Sequence, residues 1–222
     1  MKNFGRTICC LLAAATFSLS TILAAEYTQY ADTLNQLDLF QGTDQGYELD
    51  SPLTREQAAA MIVRLMGDEE TALAAQYTPV FSDVEAGRWS FPYVMYCYEN
   101  SVTKGTSEST FTPETPISAQ EFTTFILRLL GHTDSTPESA YEDAVSCGLY
   151  GTEFVRDLEG SDTFLRDDMV YISYRALKTK TTDDNILAEE LADRGVITAQ
   201  QAEEFDAYSA DDFGEMLDEL LE

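Results

Sequence analysis

The chain has 222 residues, 40 of them Asp or Glu and 13 Lys or Arg, for a net charge of −27. That balance argues against a nucleic-acid binder or a polybasic membrane-surface protein, because no basic surface exists to displace counterions from phosphate. Apolar residues at 44 % and aromatics at 11 % argue against acidic disorder and suffice for one sizeable core or a few small repeats.

Lys2 and Arg6 precede an uncharged run from Thr7 to Ala25 that is rich in Leu, Ala, Ile and Phe. A basic start, an apolar stretch and small residues at its end describe a secretory signal peptide over 1–25. The run is short for a membrane helix and no second apolar run follows, so no membrane span is expected after cleavage. Cys9 and Cys10 lie inside this segment. Cys97 and Cys147 remain, and they can either form one disulfide or stay as buried free thiols.

Tyr30, Leu34 and Leu37 fall at helical spacing and predict a first helix, with Gly42 closing it. Leu53 then opens the segment LTREQAAAMIVRLMG, whose apolar positions Ala58, Met61, Ile62, Leu65 and Met66 make one helical face. Pro92, Tyr93, Tyr96 and Cys97 predict the next helix, closed by Gly105. From Ile117 the long segment recurs as ISAQEFTTFILRLLG, with its stripe at Phe122, Phe125, Ile126, Leu129 and Leu130. Pro137, Ala140, Ala144 and Val145 predict a further helix, closed by Gly148 or Gly151. A weaker third copy of the long segment starts at Phe164 as FLRDDMVYISYRALK.

Thr54 with Gln57 and Ser118 with Glu121 fit the capping box, whereas the third copy has Leu165 at the cap position. Each copy carries an arginine eleven residues after its start: Arg64, Arg128 and Arg175. The unit reads as helix, Gly turn, loop, capped helix. One such unit cannot bury both its stripes, so the copies are expected to pack on one another. Residues 181–222 hold 14 acidic groups and one Arg. Two amphipathic stretches appear there, one with Ile186, Leu187, Leu191 and Val196, the other with Phe213, Met216, Leu217, Leu220 and Leu221, and Thr198 with Gln201 offers another capping box.

The middle copy, FSDVEAGRWSFPYVMYCYENSVTKGTSESTFTPETPISAQEFTTFILRLLG from Phe81 to Gly131, resembles the S-layer homology family. It has the F-x-D-V start, a Trp, a Tyr-bearing helix, a Gly turn and the helix-start motif, which the first copy carries as Leu53-Thr54-Arg55-Glu56-Gln57. The resemblance implies an all-α fold in which three helix-loop-helix repeats form a pseudo-threefold helical domain. The expected boundaries are 26–67 for a first repeat truncated at its N-terminus, 77–131 for the second, 132–178 for a degenerate third and 179–222 for an acidic helical tail. The first copy lacks the F-x-D-V and Trp segment, the third lacks both, and Ala119 replaces the motif arginine in the second. One or two competent grooves are therefore expected, not three.

The family's grooves bind a secondary cell-wall polysaccharide bearing a pyruvate ketal. The resemblance puts Arg55 and Arg166 at the motif arginine, where a planar guanidinium suits a carboxylate. It makes Trp89 and Asp83 further candidate glycan-binding residues, Trp89 by packing on a sugar ring and Asp83 by accepting sugar hydroxyls. Read from the residues alone, Trp89 is equally a core anchor, Asp83 equally a helix cap, and the three register arginines equally structural ion pairs. His132, the single histidine, makes His-based metal sites and Ser–His–Asp catalysis unexpected, and no phosphate loop, calcium loop or nucleophile elbow is present. The expectation is a secreted, non-enzymatic cell-surface protein without cofactor or metal, binding cell-wall polysaccharide. The alternative is a protein–protein module that recruits other surface proteins.

Overall fold

Helices form where the apolar stripes fall. A computed structural model describes residues 27–205. In chain order the helices are α1 (Thr28–Gln36), α2 (Arg55–Leu65), α3 (Glu69–Ala74), α4 (Phe91–Glu99), α5 (Ala119–Leu129), α6 (Ala140–Ser146), α7 (Thr152–Gly160), α8 (Arg166–Leu177), α9 (Leu187–Asp193) and α10 (Ala199–Ala202), with a 3₁₀ turn at Glu203–Phe205. Only isolated bridge pairs occur beside them among the described residues, so the fold is all-α. None of these helices is long and apolar enough to cross a membrane. The signal segment 1–25 and the tail stretch Phe213–Leu221 lie outside the described residues.

The caps explain the starts. Thr54 and Gln57, Ser118 and Glu121, and Thr198 and Gln201 each close a reciprocal capping box. Leu165 has no hydroxyl, and only half of the box survives there: the Leu165 N–H donates to Asp168 at 2.8 Å.

The ends differ from expectation. The first helices do not stop at Gly42 and Gly105. They stop four residues earlier, at Asp38 (φ 59°) and Ser101 (φ 62°), and the third stops at Gly148 (φ 77°). In all three the next N–H reaches back across the last turn, Leu39 to Leu34, Val102 to Cys97 and Leu149 to Ala144, at 2.8–2.9 Å. This is the Schellman closure, which needs a left-handed residue but not strictly a glycine. Gly105 instead lets the chain pass close to an aromatic ring. At φ 79°, a Cβ added there would stand 2.5 Å from the Phe81 side chain. Pro137 lies before α6 and does not open it. Helices α3 and α7 answer to no predicted stripe; both are short and pack one edge only, burying Ala72 and Phe154 with Leu158 respectively.

The packing is cyclic. Each first helix lies on the long helix of another copy: α4 on α2, α6 on α5, and α1 on α8, which closes the ring. The long helices α2, α5 and α8 form the centre, with α5 touching the other two. Their starts meet at the axis, where the Leu53 N–H donates to Phe164 O (3.3 Å) and the Ile117 N–H to Leu53 O (2.9 Å). Ala58, Met61, Ile62, Phe122, Phe125, Ile126, Met169 and Ile172 fill the space between.

The described part of the tail belongs to this core. Ile186, Leu187, Ala188, Leu191, Ile197 and Phe205 are buried. The Thr182 N–H donates to Leu130 O at 2.8 Å, and Arg194 donates to Met66 O at 2.6 Å and pairs with Asp68. The segment thus covers carbonyls left open at the C-terminal ends of α2 and α5. Cys97 and Cys147 are both free thiols, Cys97 buried against α2.

Candidate functional site

The motif arginines start from the first residue of a capped helix, so each side chain leaves the helix sideways toward the adjoining copy. Arg55 is 3 % exposed and Arg166 is 6 % exposed. Arg55 Nε donates to Phe111 O at 2.8 Å, and Arg166 Nε donates to Tyr47 O at 2.8 Å. The same join is reinforced by backbone: the Arg55 N–H donates to Thr115 O and the Arg166 N–H to Ser51 O, both at 3.0 Å. One function of each arginine is therefore to clamp the preceding loop of another copy. At the third position Ala119 cannot do this. There the space opens into a cavity of about 800 Å³ lined by Ala119, Leu158, Tyr141 and the carboxylates Glu121, Glu159 and Asp162. It is larger than either arginine-lined groove, but no cation lines it, and its acidic wall opposes an anionic ligand.

Two smaller grooves hold the arginines and occupy matching positions in the repeat. The first, about 240 Å³, is lined by Arg166, Gly42, Gln57, Met61, Arg64 and Trp89, among others. The second, about 290 Å³, is lined by Arg55, Lys104, Gly105, Glu121, Phe125 and Arg128, among others. In each, the motif arginine comes from one copy and the Gly turn and long helix from another. The third contributor is Trp89 in the first groove and Thr136–Glu138 in the second. The pattern of sequence similarity is thus repeated in the walls.

The structure brings Arg166 and Trp89 together. Trp89 is 53 % exposed, its ring 6.0 Å from that of Tyr93. It is not a core anchor. The Trp89 segment is held by its neighbour Arg88, which grips Glu56 of α2 bidentately at 2.7 and 2.9 Å and also reaches Glu114, while the Ser90 hydroxyl donates to Glu56 at 2.6 Å. Burial raises the Glu56 carboxyl, but these donors outweigh it and hold the group below its ordinary range.

Asp83 sits beside the other arginine. Its carboxylate accepts from the Phe111 N–H at 2.9 Å and the Thr112 N–H at 2.7 Å. Asp83 and Arg55 therefore hold the two polar sides of Phe111, and Thr112 is kept at φ 54°. Asp83 does not cap α4.

Burial works against the charge on both arginines; Glu121 and Asp83 oppose that effect at Arg55, and Glu48 opposes it at Arg166. The register arginines each reach the turn closing the first helix of their own copy: Arg64 to Gln41, Arg128 to Val102 O and Arg175 to Gly148 O. Arg128 also donates twice to Ser135 O, and Arg64 pairs with Glu69. Sequence reasoning placed the register but missed Lys104 and Gln57 as groove walls. Both sit on the repeat, so superposing the copies of the repeat on one another is the signal that finds them.

Residues 80–123 match the model of the S-layer homology domain. The chain is 30 % identical over 112 residues to the middle cell wall protein of Brevibacillus brevis, covering 50 % of this chain and 11 % of that one. It is 27 % identical over 195 residues to a cell surface protein of Thermoanaerobacter kivui, covering 80 % and 25 %. It is 40 % identical over 63 residues to an endoglucanase of a Bacillus species, covering 28 % and 7 %. The chain thus spans a quarter or less of the length of these relatives. Trp89, Asp83 and the capped start of α5 all lie inside the matched segment, so it is the middle copy, residues 80–123, that is similar to the S-layer homology domain.

Proposed function

We propose that this chain attaches non-covalently to the bacterial cell envelope by binding secondary cell-wall polysaccharide, a pyruvylated glycan, in grooves between its repeats. An S-layer homology domain with relatives named as cell-wall and cell-surface proteins is a secreted protein of the cell surface, and attachment there is its general role. The finer reading takes residues 26–67, 77–131 and 132–178 as three repeats of one module, with no catalytic step. One observation carries it: a guanidinium, Arg166, and an exposed indole, Trp89, line one groove of about 240 Å³. A planar cation suits a ketal carboxylate and a flat apolar face suits a sugar ring.

The protein's field opposes this ligand. A net charge of −27 repels an anionic polymer, and the repulsion is screened within about 8 Å at physiological salt. The test is co-sedimentation with wall sacculi that keep their secondary polymer and with sacculi stripped of it. The expected result is retention by the first only, rising as moderate salt is added. Equal retention by both overturns the reading.

A second reading is favoured by Ala119 and by the arginine-free cavity beside it: a protein–protein module whose degenerate copies no longer take glycan. A pull-down that returns surface proteins, with no difference between the two kinds of sacculi, supports it.

A further inference from the structure

The ring of copies is sealed at two joins and open at the third. At one sealed join the Arg55 and Glu56 N–H groups donate to Thr115 O and Pro113 O; at the other the Arg166 and Asp167 N–H groups donate to Ser51 O and Leu49 O, all at 3.0 Å. Each pair of donors belongs to the first turn of a long helix and takes two carbonyls of a loop. Isolated bridges, Thr54 with Pro116 and Pro52 with Leu165, mark the same two joins. By register, the third join would set the Ala119 and Gln120 N–H groups against Asp162 O and Gly160 O, and the Phe164 N–H against Ile117 O. Among the described residues none of these backbone bonds forms. The reason lies in the third copy, where residues 152–160 coil into α7 and the matching loop is missing. What remains is the cavity of about 800 Å³, against about 240 and 290 Å³ at the two arginine grooves.

We propose that this open join is a docking site for a non-helical segment of a partner protein that carries an arginine. The occupant's backbone carbonyls accept from the first-turn N–H groups of α5, as Thr115 O and Pro113 O accept from Arg55 and Glu56 at the sealed join. Its side chain enters a volume that holds a guanidinium at the other two joins, Arg55 and Arg166, and only Ala119 here. The walls carry Glu121, Glu159 and Asp162 and no cation; Glu121 is shared with Arg55, while Glu159 and Asp162 are exposed. Tyr141 lines the same space. Burial first, and then Glu159 and Asp168, push its phenol up, as a negative field does, and its ring is a further partner for a guanidinium. The forked donors of a guanidinium serve several carboxylates at once, which favours arginine over lysine. The chain's own charge of −27 makes a second copy the poorer occupant. The inference goes beyond both readings above, since it needs neither glycan in the other grooves nor the loss of it.

The experiment is an NMR titration of the chain with two blocked peptides, acetyl-Thr-Pro-Arg-Thr-Pro-amide and the same peptide with Gln at its centre. Both follow the loop at residues 112–116, with its central acid replaced. The arginine peptide is expected to shift the backbone amide signals of Ala119 and Gln120 and to bind on the order of tenfold tighter than the glutamine peptide at low salt. Glu159→Gln together with Asp162→Asn, both at exposed side chains, is expected to remove most of that preference. Ala119→Arg, which supplies the guanidinium from the chain itself, is expected to abolish the shifts. Thermal unfolding checks that each variant is folded. Equal binding of the two peptides, shifts that leave Ala119 and Gln120 untouched, no shift with either peptide, or a preference unchanged by the loss of Glu159 and Asp162 each overturn the inference. The same shifts arising with protein concentration alone overturn the choice of occupant in favour of a second copy. None of these outcomes bears on wall-polymer binding at Arg166, which the sacculus assay reads separately.

Discussion

Arg55 and Glu121, 66 residues apart in the chain, meet at 2.6 Å across the join between two copies of the repeat. The arginine also holds Phe111 O and lies over the Phe111 ring at 4.9 Å. Its removal leaves a carbonyl and a part-buried carboxylate without their donor. Arg55→Ala is therefore expected to cost about 2–4 kcal/mol of folding stability. Urea unfolding measures it, and a double-mutant cycle with Glu121→Ala isolates the pair. A loss below about 0.5 kcal/mol, the range of ordinary surface changes, would mean that the clamp is not structural.

Glu56 gives a pH dependence with a defined sign. Its folded-state carboxyl is held below its unfolded value by Arg88 and Ser90, against the effect of burial. Its contribution to stability is complete above the unfolded value and is lost as pH falls through the folded one. Glu56→Gln is expected to lower stability at neutral pH, and the gap to wild type is expected to close under acid conditions. A gap independent of pH would assign the loss to packing.

Gly67 closes α2 at φ 68°, and a Cβ added there would stand 2.5 Å from Val196 of the tail. Gly67→Ala is expected to destabilise by about 1–3 kcal/mol, from the left-handed backbone and the clash together. Adding Val196→Ala is expected to recover the clash but not the backbone part. Thermal unfolding of the single and double variants separates them. If adding Val196→Ala recovers none of the loss, the tail segment does not pack on α2 in solution.

Burial pushes both thiols up, Cys97 far more than Cys147. Since the thiolate is the reactive form, Cys97 is expected to resist alkylation at pH 8 in the folded chain and to react on unfolding, with Cys147 intermediate. Mass spectrometry after iodoacetamide treatment with and without urea reads this. A Cys97–Cys147 disulfide in the isolated protein would contradict the fold, which keeps both free.

The sequence by itself determined the long helices of the repeat, the helix before each, and their apolar faces, but not the short α3 and α7. A stripe such as Phe122, Phe125 and Ile126 and a cap such as Ser118 with Glu121 are local features, set by residues within a few positions of one another. The repeat also marked which positions correspond, and so located Arg55 and Arg166 as equivalents and Ala119 as the gap. Local pattern says which face is apolar but not which apolar face it meets, so only the tertiary structure decided that α4 lies on α2, α6 on α5 and α1 on α8. The same holds for the turns. The positive φ of Asp38 and Ser101 comes from the closure around them and not from the residue type, which is why Gly42 and Gly105 were the wrong markers while Gly148 marked its turn. The charge of a groove is likewise a matter of distance. Glu121 reads as a cap in the sequence, and it becomes the partner of Arg55 only because folding brings a residue 66 positions away to 2.6 Å.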